Sequence, residues 1–119
     1  MIKSLQATQE HFESSSSRTP EYLAWHRLFK REFKKYLTEK FNAVNIEIGK
    51  PNHFDISGFF TVNNQIWWFR IEDIRWSKDN MLIRTAQHYK DYTGGINRFV
   101  SLNQDIIDFD RQFRNVVAN

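Results

Sequence analysis

Hydrophobic and polar residues change their period several times along this chain, and each change marks a predicted element. From Pro20 to about Phe41, large apolar residues recur every three or four positions, which is the period of an amphipathic helix. Thr19 supplies an N-cap hydroxyl and Pro20 suits the first helical position, so the helix is predicted to begin there. Its apolar face consists of Tyr22, Trp25, Phe29, Phe33, Tyr36 and Leu37.

The stretch from His53 to Trp76 alternates like two β-strands joined by a tight turn at Asn63-Asn64. Asparagine tolerates the positive φ that a two-residue hairpin turn requires, and this turn fixes the register. Gly58 is predicted opposite Phe69, where the missing side chain leaves room for the ring. The face predicted to pack on the helices carries Ile56, Gly58, Phe60, Trp67, Phe69 and Ile71. The opposite face carries Asp55, Ser57, Phe59, Trp68, Arg70 and Glu72.

Shorter segments complete the predicted fold. Val44–Ile48 alternates as a strand, and Met81–Thr85 indicates a fourth short strand. Asn103 can cap a final helix with an apolar face. Strands in the middle of the chain, with helices outside, predict an α+β fold: a long N-terminal helix, a central three- to four-stranded, mainly antiparallel sheet and a C-terminal helix. The apolar face of the last helix consists of Ile106, Phe109, Phe113 and Val117.

Composition bounds the organisation of the chain. Residues 1–18 are polar and end in a serine run, which predicts a flexible segment before a single domain at 19–119. The absence of cysteine excludes disulfides and thiolate metal sites and fits the reducing cytoplasm. No apolar run approaches the roughly 20 residues that span a bilayer, and no secretion signal is evident. We therefore expect a soluble, cytoplasmic protein.

A basic stripe accompanies the apolar face of the first predicted helix. Its four cations follow helical spacing on another side of the helix. The stripe is either a solvated surface or a surface for the phosphates of a nucleic acid, where each cation displaces a counterion. The net charge of +3 is compatible with a nucleic-acid partner. The four candidate binding residues are Arg27, Lys30, Arg31 and Lys34.

A second candidate binding segment runs from Arg84 to Arg98, around Gly94-Gly95. Tyrosines can stack on unpaired bases, and the cations beside them can meet phosphates. The alternative is a structural connection whose tyrosines fill a small satellite cluster. The candidate binding residues in this segment are Arg84, Tyr89, Lys90, Tyr92 and Arg98, to which the hairpin adds Trp68 and Arg70.

Asp55 and Glu72 are predicted to lie opposite each other on the polar face of the hairpin. Two such carboxylates repel by about 0.2–1 kcal/mol unless something compensates. Arg70, diagonal to Asp55, could neutralise both acids; a divalent cation could bind them with His53 as a third ligand; or one acid could hold a proton. A register shift of one residue would separate the acids altogether.

The order of helix, strand, strand with an aspartate and strand with a second acid resembles the core of the PD-(D/E)xK nuclease superfamily. In this resemblance Asp55, which follows Pro51-Asn-His-Phe, matches the metal-binding aspartate, and Glu72 matches the second acid. Glu21 matches the acid on the first helix. The resemblance implies Mg²⁺-dependent cleavage of nucleic acid. The family's lysine, two residues after the second acid, is Ile74 here, and that lysine helps to activate water and stabilise charge on the phosphate.

The chain also resembles small proteins carried by bacteriophages and mobile elements. The resemblance lies in His53-Phe-Asp-Ile-Ser-Gly-Phe-Phe and in Tyr89-Lys-Asp-Tyr-Thr-Gly-Gly. It implies partners among host DNA-processing or defence machinery, including a CRISPR effector.

The expected function is non-catalytic binding, without a cofactor, to nucleic acid or to a nucleic-acid-handling protein. The expected binding surface combines the basic stripe, the polar face of the hairpin and the segment from Arg84 to Arg98. One alternative is a protein–protein inhibitor of a host defence system, anchored by exposed Phe59, Trp68 and Trp76, since aromatic residues dominate interface hot spots. The other alternative is a metal-dependent nuclease that uses Asp55 and Glu72 with Mg²⁺.

Overall fold

The computed structural model describes residues 18–51, 55–72, 80–88, 95–101 and 106–118. Within these ranges the chain forms two helices and five strands, so the predicted α+β class and the two terminal helices are confirmed. The elements are α1 Pro20–Phe41, β1 Val44–Ile48, β2 Ile56–Val62, β3 Gln65–Ile71, β4 Asn80–Ala86, β5 Arg98–Ser101 and α2 Ile106–Val117.

The strands form one antiparallel sheet in the order β1-β2-β3-β4-β5, so each strand pairs with its neighbours along the chain. The predicted count of three to four strands is too low, because β5 was not anticipated. This strand begins at Arg98, the last residue of the candidate binding segment. Its sequence, Arg-Phe-Val-Ser, does not alternate polar and apolar residues, so the pattern does not identify it as a strand.

The hairpin has the predicted register. Asn63 and Asn64 adopt φ values of 51° and 66° and form the turn. Val62 pairs with Gln65, and the pairing continues without a shift to Ile56 and Ile71. Because side chains alternate along a strand, this register assigns each residue to one of two faces. The inner face carries Ile56, Gly58, Phe60, Trp67, Phe69 and Ile71, and the outer face carries Ser57, Phe59, Thr61, Ile66, Trp68 and Arg70.

Gly58 lies where the sheet is most crowded. A Cβ atom at this position would come within 3.0 Å of the Phe69 ring, as expected, and would also collide with the backbone carbonyl of Glu47. That carbonyl belongs to β1, whose pairing with β2 shifts between Val44 and Glu47. Asn45, at the bulge, has a φ of 53°. The glycine therefore accommodates an aromatic ring and an irregular edge strand at once.

The hydrophobic core lies between the inner face and the two helices. Phe33 is fully buried at its centre. Its ring meets Phe69 and Phe113 edge-on, with centroids 5.0 and 5.9 Å away, which is a favourable geometry for aromatic pairs. The predicted apolar face of α1 is confirmed, since Tyr22, Trp25, Phe29, Phe33, Tyr36 and Leu37 are all buried.

The second helix closes the core beside the edge strand β5. Phe109, Phe113 and Val117 are buried, as predicted. The Tyr36 hydroxyl donates a hydrogen bond to Asp110 Oδ1 over 2.7 Å, which joins the two helices. Burial, and secondarily this bond, raises the pKa of Tyr36.

At the outer edge of β5, the Ser101 amide donates to Gln112 Oε1 over 3.0 Å. A side chain of α2 therefore satisfies a backbone donor of the edge strand.

Several predictions lie outside the described residues. These are the flexible segment 1–18 apart from Arg18, and the Asn103 cap. The same is true of candidate residues His53, Trp76, Tyr89, Lys90 and Tyr92. In the described part of the chain, neither helix is long and apolar enough to cross a membrane.

Candidate nucleic-acid interface

The basic stripe predicted on α1 is formed by exposed side chains on the solvent side of the helix. Thr19 Oγ1 accepts a hydrogen bond from the Tyr22 amide over 3.3 Å and fixes the start of the helix. The span from Arg27 to Lys34 is two turns, or about 10 Å. In the described part of the chain no ion pair neutralises these cations, whereas nearby Lys35 pairs with Glu39. We call Arg27, Lys30, Arg31 and Lys34 the basic flank.

Charge is segregated around α1. The helix contains six basic and three acidic residues, a difference of +3 that equals the net charge of the whole chain. At 100° per residue, the basic flank occupies one side of the buried face. Glu21, Glu32 and Glu39 fall together on the other side. A phosphate backbone approaching the basic flank would therefore not meet the acids of the same helix.

The spacing of the three glutamates of α1 is visible in the sequence, but none of the predictions drew on it. Glu21, Glu32 and Glu39 are separated by eleven and seven residues, which brings them to one side of a helix. This signal would have shown that the basic and acidic residues of α1 are sorted by side.

On the outer face, Arg70 forms an ion pair with Asp55. An Nη atom of Arg70 lies 3.0 Å from Asp55 Oδ2, and both side chains are partly exposed. Of the arrangements considered for the acid pair, neutralisation by Arg70 is the one observed at Asp55. The Tyr22 hydroxyl also donates to the Asp55 backbone carbonyl over 3.4 Å, which ties this position to α1.

Glu72 follows the end of β3 and is exposed. Arg70 pairs with Asp55 and with no other acid in the described part of the chain, so the expectation that it neutralises both acids is only half met. Among the described residues, no group of three or more histidine, aspartate or glutamate side chains is placed to hold a metal ion.

Phe59 and Trp68 are buried rather than exposed, which corrects their assignment as interface anchors. Each is 8% exposed, and together with Ala86 they form a second apolar cluster on the outer face. Arg84 lies across from Trp68 in the register, and its guanidinium carbon is 4.3 Å from the centre of a Trp68 ring. The guanidinium shields the indole from water, which alternation within the hairpin could not predict.

The same guanidinium of Arg84 also contacts Asn97. One of its Nη atoms donates to Asn97 Oδ1 over 3.2 Å, whereas its Nε is buried without a partner in the described structure. This cation is therefore engaged with the sheet, unlike the exposed cations of the basic flank.

Arg98 lies apart from Arg84 although the sequence places both in one segment. It pairs in register with Ile83, an inner-face residue, and lines a cleft beside the end of α2. The described candidate residues consequently occupy three places: the solvent side of α1, the outer face of the sheet and the far end of the inner face. They do not form the single surface that was expected.

His26 is a buried residue of α1 that lies outside the predicted apolar face. It is only 3% exposed, and its Nε2 is buried without a partner in the described structure. Burial lowers the pKa of His26, and the charge of Lys30 lowers it further, while a backbone hydrogen bond with Gly49 acts in the opposite direction. The spacing of four from Tyr22 was the available signal.

Comparisons of the chain with protein-family models, with curated proteins and with solved structures found no match.

Proposed function

We propose that this protein binds nucleic acid without cleaving it and that the basic flank of α1 contacts the phosphate backbone. The observation that carries the proposal is the segregation of charge on α1, where Arg27, Lys30, Arg31 and Lys34 are exposed together. Cations without an ion pair in the described part of the chain are available to replace counterions on a phosphate backbone.

Binding should be strongly dependent on salt. Four phosphate contacts on duplex DNA predict a slope of about −3.6 in a plot of log affinity against log salt, or a loss of about 100-fold between 50 and 200 mM. Fluorescence anisotropy with labelled duplex DNA, single-stranded DNA and RNA of equal length would measure this slope. Affinity that is independent of salt for all three probes would contradict the proposal.

A matched pair of variants locates the contact. Lys30→Gln with Lys34→Gln should reduce the slope by about two units. Lys35→Gln with Lys40→Gln removes the same charge from the same helix, but outside the basic flank, and should leave most of the slope intact. Equal losses in the two variants would mean that net charge, and not the basic flank, controls binding.

A second proposal is a protein–protein inhibitor acting on a nucleic-acid-handling protein. Two of its three predicted anchors, Phe59 and Trp68, are buried, and the third, Trp76, lies outside the described residues. Ile96, just before β5, and Phe99, within it, are 76% and 57% exposed. Exposed apolar side chains of this size are candidate interface anchors. Salt-insensitive capture of a purified nucleic-acid-handling protein, lost on Phe99→Ser but retained in the Lys30→Gln/Lys34→Gln variant, would favour this function.

The nuclease proposal has less support. The carboxylate of Asp55 is already in an ion pair with Arg70, so a cation would have to displace a guanidinium to reach it. Among the described residues, which do not include His53, no three candidate ligands are grouped to hold a metal ion. Cleavage that requires Mg²⁺ or Mn²⁺ and is lost on Asp55→Asn would nevertheless establish the activity.

A further inference from the structure

A cleft of about 380 Å³ opens at the turn end of the sheet, where α2 stops short of the last residues of the inner face. Its sheet side is lined by Gln65, Trp67, Thr85 and Arg98, and its helix side by the final turn of α2. The basic flank contributes no residue to it. The volume lies near the lower end of the range of about 300–1,000 Å³ that is usual for ligand sites.

The inner face changes character at this cleft. Gln65 and Thr85 continue the inner-face positions of β3 and β4, and Arg98 begins those of β5. Polar side chains at the uncovered end of a sheet are ordinary in themselves, because water reaches them. Farther along the same strands, the inner face is apolar and buried at Phe69, Ile71, Met81, Ile83 and Val100.

Trp67 distinguishes the cleft from a merely solvated sheet end. The residue is 7% exposed, and its Nε1–H is buried without a hydrogen-bond partner in the described structure. A buried N–H without an acceptor is destabilising, and such groups are uncommon in folded proteins. Trp67 also lines the cleft, so its indole lies beside any ligand seated there.

The two sides of the cleft differ in charge. Arg98 is exposed and takes part in no ion pair within the described part of the chain. The opposite side is the C-terminus of α2, where unpaired carbonyl groups carry partial negative charge. A negative group is therefore favoured beside Arg98, whereas Val116 and Val117 offer an apolar surface to the remainder of a ligand.

We infer that this cleft binds a small organic anion, with a carboxylate or phosphate held by Arg98 and a single ring packed between Trp67 and the end of α2. Guanidinium groups bind both anions through paired hydrogen bonds, so the two head groups share one chemistry. The site is independent of the basic flank, and its test does not depend on nucleic-acid binding.

The test is a titration of the ¹⁵N-labelled protein followed by NMR. The four tryptophans give four indole signals, and Trp67→Phe assigns the one from Trp67. Benzoate and phenyl phosphate are the anionic probes. Benzylamine is the cationic control with the same ring, and inorganic phosphate is the anionic control without a ring. Saturable shifts of the Trp67 indole and of the Thr85 and Arg98 amides are expected with an anionic ring compound and not with benzylamine. The stronger of the two anionic probes identifies the head group.

Variants separate this site from general attraction of anions. Arg98→Gln should weaken binding at least about tenfold, as expected for loss of a charge-assisted contact. Arg111→Gln, which removes an exposed cation on α2 paired with Asp108, should leave binding unchanged.

The inference would be overturned by the absence of a saturable shift with both ring anions, by an equal response to benzylamine, or by unchanged affinity in Arg98→Gln. A response to inorganic phosphate as strong as that to phenyl phosphate would also overturn it, because the ring would then contribute nothing.

Discussion

The inner and outer faces of the sheet bury aromatic residues by different means. On the inner face, Phe60 and Phe69 are fully buried under helices, and ring–ring contacts continue through Phe33. On the outer face, Phe59 and Trp68 are nearly as buried, yet Trp68 is covered by the guanidinium of Arg84. An arginine on a neighbouring strand thus shields part of one indole from water, whereas a helix shields a whole face of the sheet.

The largest effect is expected from removing one phenyl ring from the core that α1 forms with the inner face and one from the outer face of the sheet. Phe33→Ala should cost about 3–5 kcal/mol of unfolding free energy, because the cavity lies among rings that two helices hold in place. Phe59→Ala should cost less, about 1–3 kcal/mol, since the outer cluster is small and can collapse. Urea denaturation at constant m-value measures both. Equal losses would show that the outer cluster is packed as tightly as the core.

The next test concerns Gly58, an inner-face position of β2 that lies close to the backbone of β1. Gly58→Ala should destabilise by about 1–3 kcal/mol, because the added methyl group meets the Glu47 carbonyl and the Phe69 ring. Gly49→Ala is the matched control. A Cβ there lies 3.4 Å from its nearest neighbour, the Ser57 carbonyl oxygen, which is an ordinary contact. A neutral result at Gly58 would mean that the bulge in β1 moves easily.

A smaller effect is expected at His26 in acid. Its pKa in the folded state lies below the ordinary value of 6.5, so the unfolded chain binds the proton first. Stability should therefore fall as the pH drops below 6.5, down to the folded-state pKa. Thermal unfolding of wild type and His26→Gln, compared between about pH 8 and pH 5.5, isolates the contribution of this residue. Parallel curves for the two proteins would contradict it.

The smallest effect is expected at the ion pair of the outer face. Arg70→Met should cost less than about 1 kcal/mol, because both charges are partly exposed and water already solvates them. Repeating the measurement in high salt should remove most of that loss. A cost above about 2 kcal/mol that persists in salt would indicate that the pair is more than a surface contact.

Local sequence patterns correctly predicted the features that depend on residues close together in the sequence. Two asparagines were enough to place the hairpin register, since the turn type fixes the pairing of the strands it joins. Helical spacing identified the buried side of α1 because all the aromatic residues concerned lie on one element. These features require no knowledge of distant residues.

The predictions that were wrong concern contacts between distant parts of the chain. Alternation assigned Phe59 and Trp68 to the correct face but could not tell that both side chains are buried. Part of the cover over Trp68 comes from Arg84 in another strand. The same limit explains the expectation of one combined binding surface. Arg84 and Arg98 are near in sequence, but the pairing of β4 with β5 turns them to opposite faces.

The edges of the sheet have a consequence for how copies of this chain behave at high concentration. A sheet that ends in regular, unpaired strands invites another chain to add to it, and repeated addition leads to fibres. At one edge Gln112 occupies the outward amide of Ser101, and at the other the bulge at Asn45 interrupts the regular spacing of donors and acceptors. Both ends of the sheet thus discourage a sixth strand, which favours a protein that resists fibrillation while it remains folded.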